Sequence, residues 1–242
     1  MSSFGEYQFN PFLGGGRHIP ASTKLISHPD LWGEDGVLNV MPQAFWESVT
    51  PDERSLFGYK HGVYAYPTTE LIARLRAMIG GREARTIEIG AGNGGMAKAL
   101  GIVATDSYQQ ATNADVRRYV QDLKGEPVPY GPHVAKMDYK EAIRRHKPEV
   151  VLGCWVTHRY NPLKPHLAGN QWGLDEHWIL SRCAEYIFVG AKTLTHDIKP
   201  LFADLKAGKI RTHEIVSWET GPLIQSRAQG DGILVHIRRK SA

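Results

Sequence analysis

The sequence predicts an α/β fold: a doubly wound, mostly parallel sheet in three layers, ending in a C-terminal antiparallel hairpin and preceded by an N-terminal extension. Three observations carry this expectation. From Arg85 onward, short apolar segments alternate with helical ones, the pattern of strands buried on both faces and joined by crossover helices. A glycine-dense turn, Gly90-Ala91-Gly92-Asn93-Gly94-Gly95, follows the first of these strands and opens a helix. Near the C-terminus two strand-like runs are joined by Glu219 to Asp231 without a clear helix, which implies an antiparallel pair.

Residues 1–65 read as an extension, partly irregular, expected to cover the functional site; residues 66–242 form the main domain. Asn10 to Asp35 is rich in Gly, Pro, Ser and His, includes Gly14-Gly15-Gly16 and shows no period. Pro42 to Val49 suits a short helix. Thr50-Pro51-Asp52-Glu53 starts another, with threonine as N-cap, proline in the first helical position and glutamate completing a capping box. A third begins near Tyr66-Pro67-Thr68-Thr69; Leu71, Ile72, Leu75, Met78 and Ile79 recur at helical spacing and Gly80-Gly81 ends it.

The strands are then expected at Thr86–Ile89, Ile102–Thr105, His133–Met137, Glu149–Cys154 and Glu185–Val189, with helices at Gly95–Leu100, Ala114–Leu123, Tyr139–His146 and Asp175–Arg182. Right-handed crossovers wind such a sheet in both directions from its first strand. Thr212–Trp218 and Gly232–Arg238 supply the final hairpin.

Composition bounds the function. The 242 residues are 42% hydrophobic, enough for a sizeable core, and no apolar run is long enough to span a bilayer. Met1 to Glu6 lacks the basic and apolar regions of a secretory signal. Two cysteines, Cys154 and Cys183, support no disulfide framework, so a reducing, cytoplasmic setting is the default expectation. The net charge of +4 is dispersed; Arg144-Arg145-His146-Lys147 reads as a solvated helix end and Arg238-Arg239-Lys240 as a tail. This neither demands nor excludes a nucleic-acid partner.

The glycine turn satisfies two patterns. Gly90, Gly92 and Gly95 fit the G-x-G-x-x-G of dinucleotide sites. Glu88, Gly90, Gly92 and Gly94 fit E-x-G-x-G-x-G. Both need a strand that turns sharply into a helix while its backbone approaches a ligand. Two features separate them. A carboxylate at Glu88 suits a cationic group such as an α-ammonium and would repel a pyrophosphate. The next acidic strand end, Asp106, follows Gly90 by 16 residues, earlier than the roughly 20 of the dinucleotide pattern.

The E-x-G-x-G-x-G turn, together with five parallel strands and a terminal hairpin, resembles the class I S-adenosyl-methionine-dependent methyltransferases, which have a Rossmann-like fold. The resemblance implies S-adenosyl-L-methionine as cofactor, held by Glu88, Gly90, Ala91, Gly92, Asn93 and Gly94. It implies that Asp106 receives the ribose hydroxyls, with Ser107 or Tyr108 beside the adenine. It also implies that Asp138, with Tyr139 after it, accepts the adenine amino group, although Asp138 is nearly as good a helix N-cap.

The acceptor is expected outside the carboxyl end of the fourth strand, near Trp155-Val156-Thr157-His158-Arg159-Tyr160-Asn161-Pro162. Trp155 is expected to wall the cofactor pocket, or to be core. His158 is the candidate general base, because imidazole titrates near neutrality; the alternative is a surface-loop histidine. No metal site is assigned. Gly153 precedes Cys154 where covalent cytosine methyltransferases have proline. The Asp/Asn-Pro-Pro-aromatic tetrad of amino-methylating nucleic-acid enzymes is also missing. These features favour a small-molecule acceptor, methylated at oxygen or nitrogen. The alternatives are a tRNA or DNA methyltransferase, a cofactor-binding protein without turnover, and a nicotinamide-dependent oxidoreductase. Tyr59, His61, Tyr64 and Tyr66 either close over the sulfonium or pack the following helix onto the sheet, and Lys124 to Pro132 forms a rigid loop that borders the adenine or simply connects.

Overall fold

A computed structural model describes residues 7–9, 18–122, 125–164, 166, 169–192, 196, 199–228 and 231–241. The expectations that touch Met1 to Glu6, Gly14 to Gly16, Leu123, Lys124 and residues 229–230 fall outside these. The strands are β1 (Tyr7–Phe9), β2 (His18–Pro20), β3 (Ala65–Tyr66), β4 (Thr86–Ile89), β5 (Val103–Asp106), β6 (Val134–Lys136), β7 (Val150–Cys154), β8 (Glu185–Ala191), β9 (His213–Gly221), β10 (Gln225–Ser226) and β11 (Gly232–Arg239). The helices are α1 (Gln43–Glu47), α2 (Pro51–Lys60), α3 (Thr69–Ile79), α4 (Gly95–Leu100), α5 (Gln109–Thr112), α6 (Ala114–Asp122), α7 (Tyr139–His146), α8 (Glu176–Leu180) and α9 (Pro200–Lys206).

Seven strands form one sheet in the order β6-β5-β4-β7-β8-β11-β9. The first five pair in parallel, and β11 runs antiparallel to both of its neighbours. The chain therefore starts at the centre, winds out through β5 and β6, and returns to build β7 and β8 on the other side. This is the doubly wound arrangement with a terminal antiparallel pair that the sequence predicts.

Alternation along the strands sorts the core into two layers. Ile87, Ile89, Val151 and Phe188 face Ala142, Ile143, Ile179, Leu180, Leu201 and Phe202 of α7, α8 and α9. Val150, Leu152, Ile187 and Val189 face Leu71, Leu75, Met78 and Met96 of α3 and α4. A sheet covered on both faces explains why its central strands are almost wholly apolar.

Local chemistry sets the helix ends. Thr50 and Glu53 form the full capping box of α2. Thr68 accepts a hydrogen bond from the Leu71 amide at the start of α3, and Gly80 ends it in the left-handed conformation. Among the described residues two helices escape the sequence reading: α5, four residues long, and α9, seven residues long, which starts at Pro200 and buries Leu201 and Phe202. The connection before β11 also carries structure, since β10 pairs with β3 and ties the C-terminal hairpin to the extension. Arg238 and Arg239 are not a tail. Both lie in β11, with Arg238 Nε 3.2 Å from Glu185 Oε1 and Arg239 Nη2 donating to Cys183 O at 3.1 Å.

The extension has its own aromatic cluster, in which Trp46 stacks on Tyr66 at 4.0 Å between centroids and both contact Phe57. The Tyr66 hydroxyl donates to Arg54 O. Among the described residues no helix is long and apolar enough to cross a membrane.

Candidate functional site

The turn between β4 and α4 needs glycine for two separate reasons. Gly90, Gly92 and Gly94 have φ of 63°, 56° and 82°, a region that L side chains seldom occupy. A Cβ on Gly90 would also lie 2.8 Å from Val156 Cγ1, and one on Gly94 2.5 Å from His133 Nε2. The turn thus leaves a hollow at the carboxyl ends of β4, β5 and β7, where ligands of open α/β sheets bind. The hollow is a cavity of about 280 Å³. Glu88, Gly90, Ala91, Gly92, Asn93, Gly94, Asp106, Ser107 and Trp155 all line it, so the structure gathers nine residues that the sequence singles out.

Two carboxylates define its chemistry. Asp106 ends β5, where Oδ2 accepts from the Gly92 amide at 3.0 Å and Oδ1 from the Tyr108 amide at 2.8 Å. Each oxygen keeps a further lone pair for a hydroxyl donor. Burial raises the Asp106 pKa against those two hydrogen bonds. Glu88 sits deeper, 1% exposed, with Oε2 accepting from the Ala97 amide at 3.0 Å in the first turn of α4. Burial pushes its pKa up to about 8; the Ala97 bond opposes this, and the Asp106 charge adds to it.

Asn93 fastens the extension to the glycine turn. Its Oδ1 accepts from the Leu38 amide at 2.7 Å, and its Nδ2 donates to Gly36 O at 3.1 Å and Pro129 O at 2.8 Å. Residues 36–38 and 129 are thereby drawn over the turn. Val128 and Tyr130 line the cavity from the 125–132 loop, and Tyr130 stacks on Tyr108 at 3.8 Å. Of the four extension side chains in question, Tyr64 reaches the cavity. Arg227 lies over its ring, Cζ 3.4 Å from the centroid. Tyr59, His61 and Tyr66 pack instead: Tyr59 and Tyr66 are buried, and His61 lies against Phe57 and Trp32.

Trp155 combines both roles open to it, lining the cavity and packing on the apolar layer. Its φ is 60°, a strained conformation for an aromatic residue that neighbouring contacts must hold. The Trp155 amide donates to Val189 O at 2.8 Å. One residue on, Val156 O accepts from the buried Lys199 Nζ at 2.9 Å. Lys199 in turn donates to Glu176 Oε1 at 3.0 Å, which also accepts from the Tyr186 hydroxyl at 2.8 Å. His196 meets Trp155 edge-on at 5.2 Å, and burial, reinforced by Lys199, holds its pKa well below that of a free imidazole.

Three of the sequence assignments are corrected here. Asp138 is exposed and lies outside the cavity, where its Oδ1 caps α7 by accepting from the Lys140 amide at 2.8 Å. Tyr139 is buried in the apolar layer and its hydroxyl accepts from the Asp175 amide at 3.2 Å. His158 is 4% exposed and also lies outside the cavity. The chain closes around it, with residues 157–160 hydrogen-bonded to 170–174, and a Cβ on Gly169 would meet its ring at 2.9 Å. His158 lines instead the neighbouring groove beside α8. Cys154 lines the cavity, but burial raises its thiol pKa well above the ordinary value, which is wrong for a nucleophile.

The acceptor side is walled by residues the sequence reading passed over. Asn170, Trp172, Gly173 and Leu174 line the cavity beside Thr157, whose carbonyl accepts from the Leu174 amide at 2.8 Å. They come from the far end of the loop that begins at Trp155, and an aperiodic loop gives no signal of where it returns. The Gln171-Trp172-Gly173 run, a lone aromatic beside glycine in a polar loop, was the available hint.

No family model matches the chain, and no curated protein matches it. Solved structures do. The 23S rRNA methyltransferase ErmE aligns at 14% identity and a TM-score of 0.36, over 72% of this chain and 68% of its own. The magnesium protoporphyrin IX methyltransferase of Synechocystis PCC 6803, with bound SAH, aligns at 14% identity and a TM-score of 0.43, over 70% and 80%. A putative RNA methyltransferase from Pyrococcus horikoshii aligns at 14% and 0.36, over 91% and 94%. Likenesses this distant do not bear on activity, which rests on the site itself. By its own strand order and glycine turn, the chain is a doubly wound, Rossmann-like α/β protein.

Proposed function

We propose that this protein is an S-adenosyl-methionine-dependent methyltransferase acting on a nitrogen or oxygen of its acceptor. The observation that carries this is the placement of Glu88 and Asp106 on either side of a left-handed glycine turn, in one cavity at the strand ends. The donor set fits a nucleoside that carries a cationic amino-acid arm. Asp106 would accept the two ribose hydroxyls, and Glu88 would face the ammonium. The glycine turn lets the ligand approach the backbone, and Ser107, Val128 and Tyr130 would border the base. The chemistry the cofactor supplies is an electrophilic methyl group on a sulfonium.

The chain's own part is then alignment. Trp155 and Val156, held by Val189 and Lys199, form a fixed wall beside the transfer path. Thr157, Asn170 and Trp172, which also line the cavity, would face the entering nucleophile. Holding two reactants in line supplies much of the acceleration for such a transfer, so the burial of His158 does not count against activity. The extension, 1–65, would cover the binding domain, 66–242, through residues 36–38 over the glycine turn and Tyr64 at the cavity.

A cavity of about 280 Å³ is at the lower edge of small-molecule sites, roughly 300–1,000 Å³. One nucleoside-sized ligand fills it, and the acceptor must present its nucleophile from outside. A free small molecule can do this, in line with the missing nucleic-acid signatures of the sequence. A nucleic acid can too, and the surface around the mouth favours it.

Isothermal titration with S-adenosyl-homocysteine and with NAD tests the proposal. Saturable binding of the first and none of the second is expected. Binding of NAD alone would assign the site to a nicotinamide oxidoreductase, and cofactor binding with no methyl transfer to any acceptor would leave a binding protein without turnover.

A further inference from the structure

The loop that walls the acceptor side has two unlike faces. Its inner residues, Thr157, Asn170, Trp172 and Leu174, line the cavity. Its outer residues, Arg159, Tyr160, Leu163 and Lys164, are exposed, Tyr160 at 41% and Leu163 at 88%. From Val156 to Leu174 the sequence contains no aspartate or glutamate. A solvated loop normally mixes both signs of charge, so a 19-residue stretch with bases and no acid is a departure that needs a reason.

A second group of cations adjoins it. Lys140 and Arg144 of α7 and Arg182 after α8 gather round Trp178, at 5.5, 5.5 and 5.6 Å from the ring. The loop and this group share a base, because Asp175, directly after Leu174, donates its amide to the Tyr139 hydroxyl at the start of α7. Among the described residues, the ion pairs use other cations: Arg74, Arg82, Arg85, Lys98, Lys192, Lys199, Lys209 and Arg238. Arg159, Lys164, Lys140, Arg144 and Arg182 are in none of them.

The acids in between are already committed. A groove of about 390 Å³ runs between the loop and α8, and Asp175, Glu176 and Asp204 line it. Asp175 caps α8 through the Trp178 amide at 3.0 Å. Glu176 is paired with Lys199. Asp204 is paired with His177 and Lys209. Around the groove the exposed cations Arg159, Lys164, Arg144 and Arg182 outnumber the exposed acids beside them, Asp138 and Glu141 of α7; an exposed tyrosine and leucine lie among them, and the groove shares Leu174 with the cavity.

We infer that this surface docks a single-stranded RNA, whose phosphates meet Arg159, Lys164, Lys140, Arg144 and Arg182 while a base is delivered past Thr157 and Asn170. The inference rests on the methyl-transfer reading for what happens to that base, but not for the docking. Repeated negative charge matches five cations that form no ion pair among the described residues. Exposed aromatic and apolar side chains suit unstacked bases rather than a duplex edge. Reading splayed single strands is the usual mode for RNA.

Fluorescence anisotropy with a labelled mixed-sequence single-stranded RNA tests this. Binding should weaken with salt, with a log–log slope of up to about −3.5 for five contacts on a single strand. The double variant R159A/K164A should bind at least tenfold more weakly, with a slope shallower by about 1.4. R76A, on the opposite layer, should bind as the parent does. Absence of salt-dependent binding, or equal binding by R159A/K164A, would overturn the inference. So would tighter binding of DNA of the same sequence, or displacement by poly-glutamate as effective as by unlabelled RNA. Homocysteine-cofactor titration on the same samples separates the two readings. RNA binding without cofactor binding removes the methyltransferase and leaves the docking surface; cofactor binding with RNA affinity indifferent to R159A/K164A does the reverse.

Discussion

Lys199 Nζ lies 3.0 Å from Glu176 Oε1 and 2.9 Å from Val156 O, and neither side chain is more than 2% exposed. One buried cation thus joins an acid on α8 to the backbone that walls the candidate site. Removing one member of such a pair leaves the other desolvated, at a cost of about 3–5 kcal/mol. Lys199→Met should lower the melting temperature by about 6–20 °C, at ~2–4 °C per kcal/mol for a chain of this size. Adding Glu176→Gln should recover part of that loss. Cofactor affinity should stay reduced in the double variant, because Val156 O still lacks its donor. Differential scanning fluorimetry and calorimetric titration read the two effects separately. Full recovery of affinity in the double variant would mean that Lys199 does not hold the wall.

Gly94 and Gly101 flank α4, both with positive φ, but only Gly94 is crowded. Gly101→Ala should cost only the conformational penalty, about 1–3 kcal/mol, and leave cofactor binding intact. Gly94→Ala should cost more, because the added Cβ sits 2.5 Å from His133 Nε2 and shifts the turn. Its cofactor affinity should fall as well. Thermal melts compare the costs, and equal melting temperatures would show that crowding at Gly94 is relieved by a His133 movement.

Asp106 fixes both the turn and the following strand end by accepting from Gly92 and Tyr108. Asp106→Asn keeps one acceptor oxygen and loses the charge; Asp106→Ala loses both. Hydrogen bonds to a charged group contribute about 1.5–3 kcal/mol, so Asn should weaken cofactor binding by about 10–100-fold and Ala by more. Equal affinity for both variants and the parent would remove Asp106 from the site.

The sequence made the glycine turn and its carboxylates legible because each leaves a local signature. Positive φ demands glycine, and a strand end followed by a crossover puts an acid at a known edge of the sheet. Asp138 had the same local pattern as Asp106, an acid between a strand and a helix. What separates them is exposure: Asp106 faces the turn at the centre of the sheet, whereas Asp138 lies beyond the cavity and caps α7. His158 was misplaced for a similar reason. Polar neighbours suggested an open loop, but the loop folds back through backbone bonds to residues 170–174 and encloses the ring. That return path also brings Trp172 and Asn170 to the site. No periodic pattern encodes it.

Glu88 links binding to pH. Burial raises its pKa to about 8, so at pH 7 the carboxyl is largely protonated before a ligand arrives. An ammonium placed against it favours the charged form and pulls the pKa down. Cofactor binding at pH 7 should therefore release about one proton. Affinity should rise with pH, by up to about tenfold per unit below pH 8, and level off above it. For folding the sign is the reverse: a carboxyl with a raised pKa favours the native state at low pH, and that contribution is lost as pH rises from about 4.5 through 8. Titrations in buffers of different ionisation enthalpy measure the proton directly. Glu88→Gln should abolish both the release and the pH dependence while keeping an acceptor for the Ala97 amide. A parent protein that releases no proton on binding would place the ammonium elsewhere in the cavity.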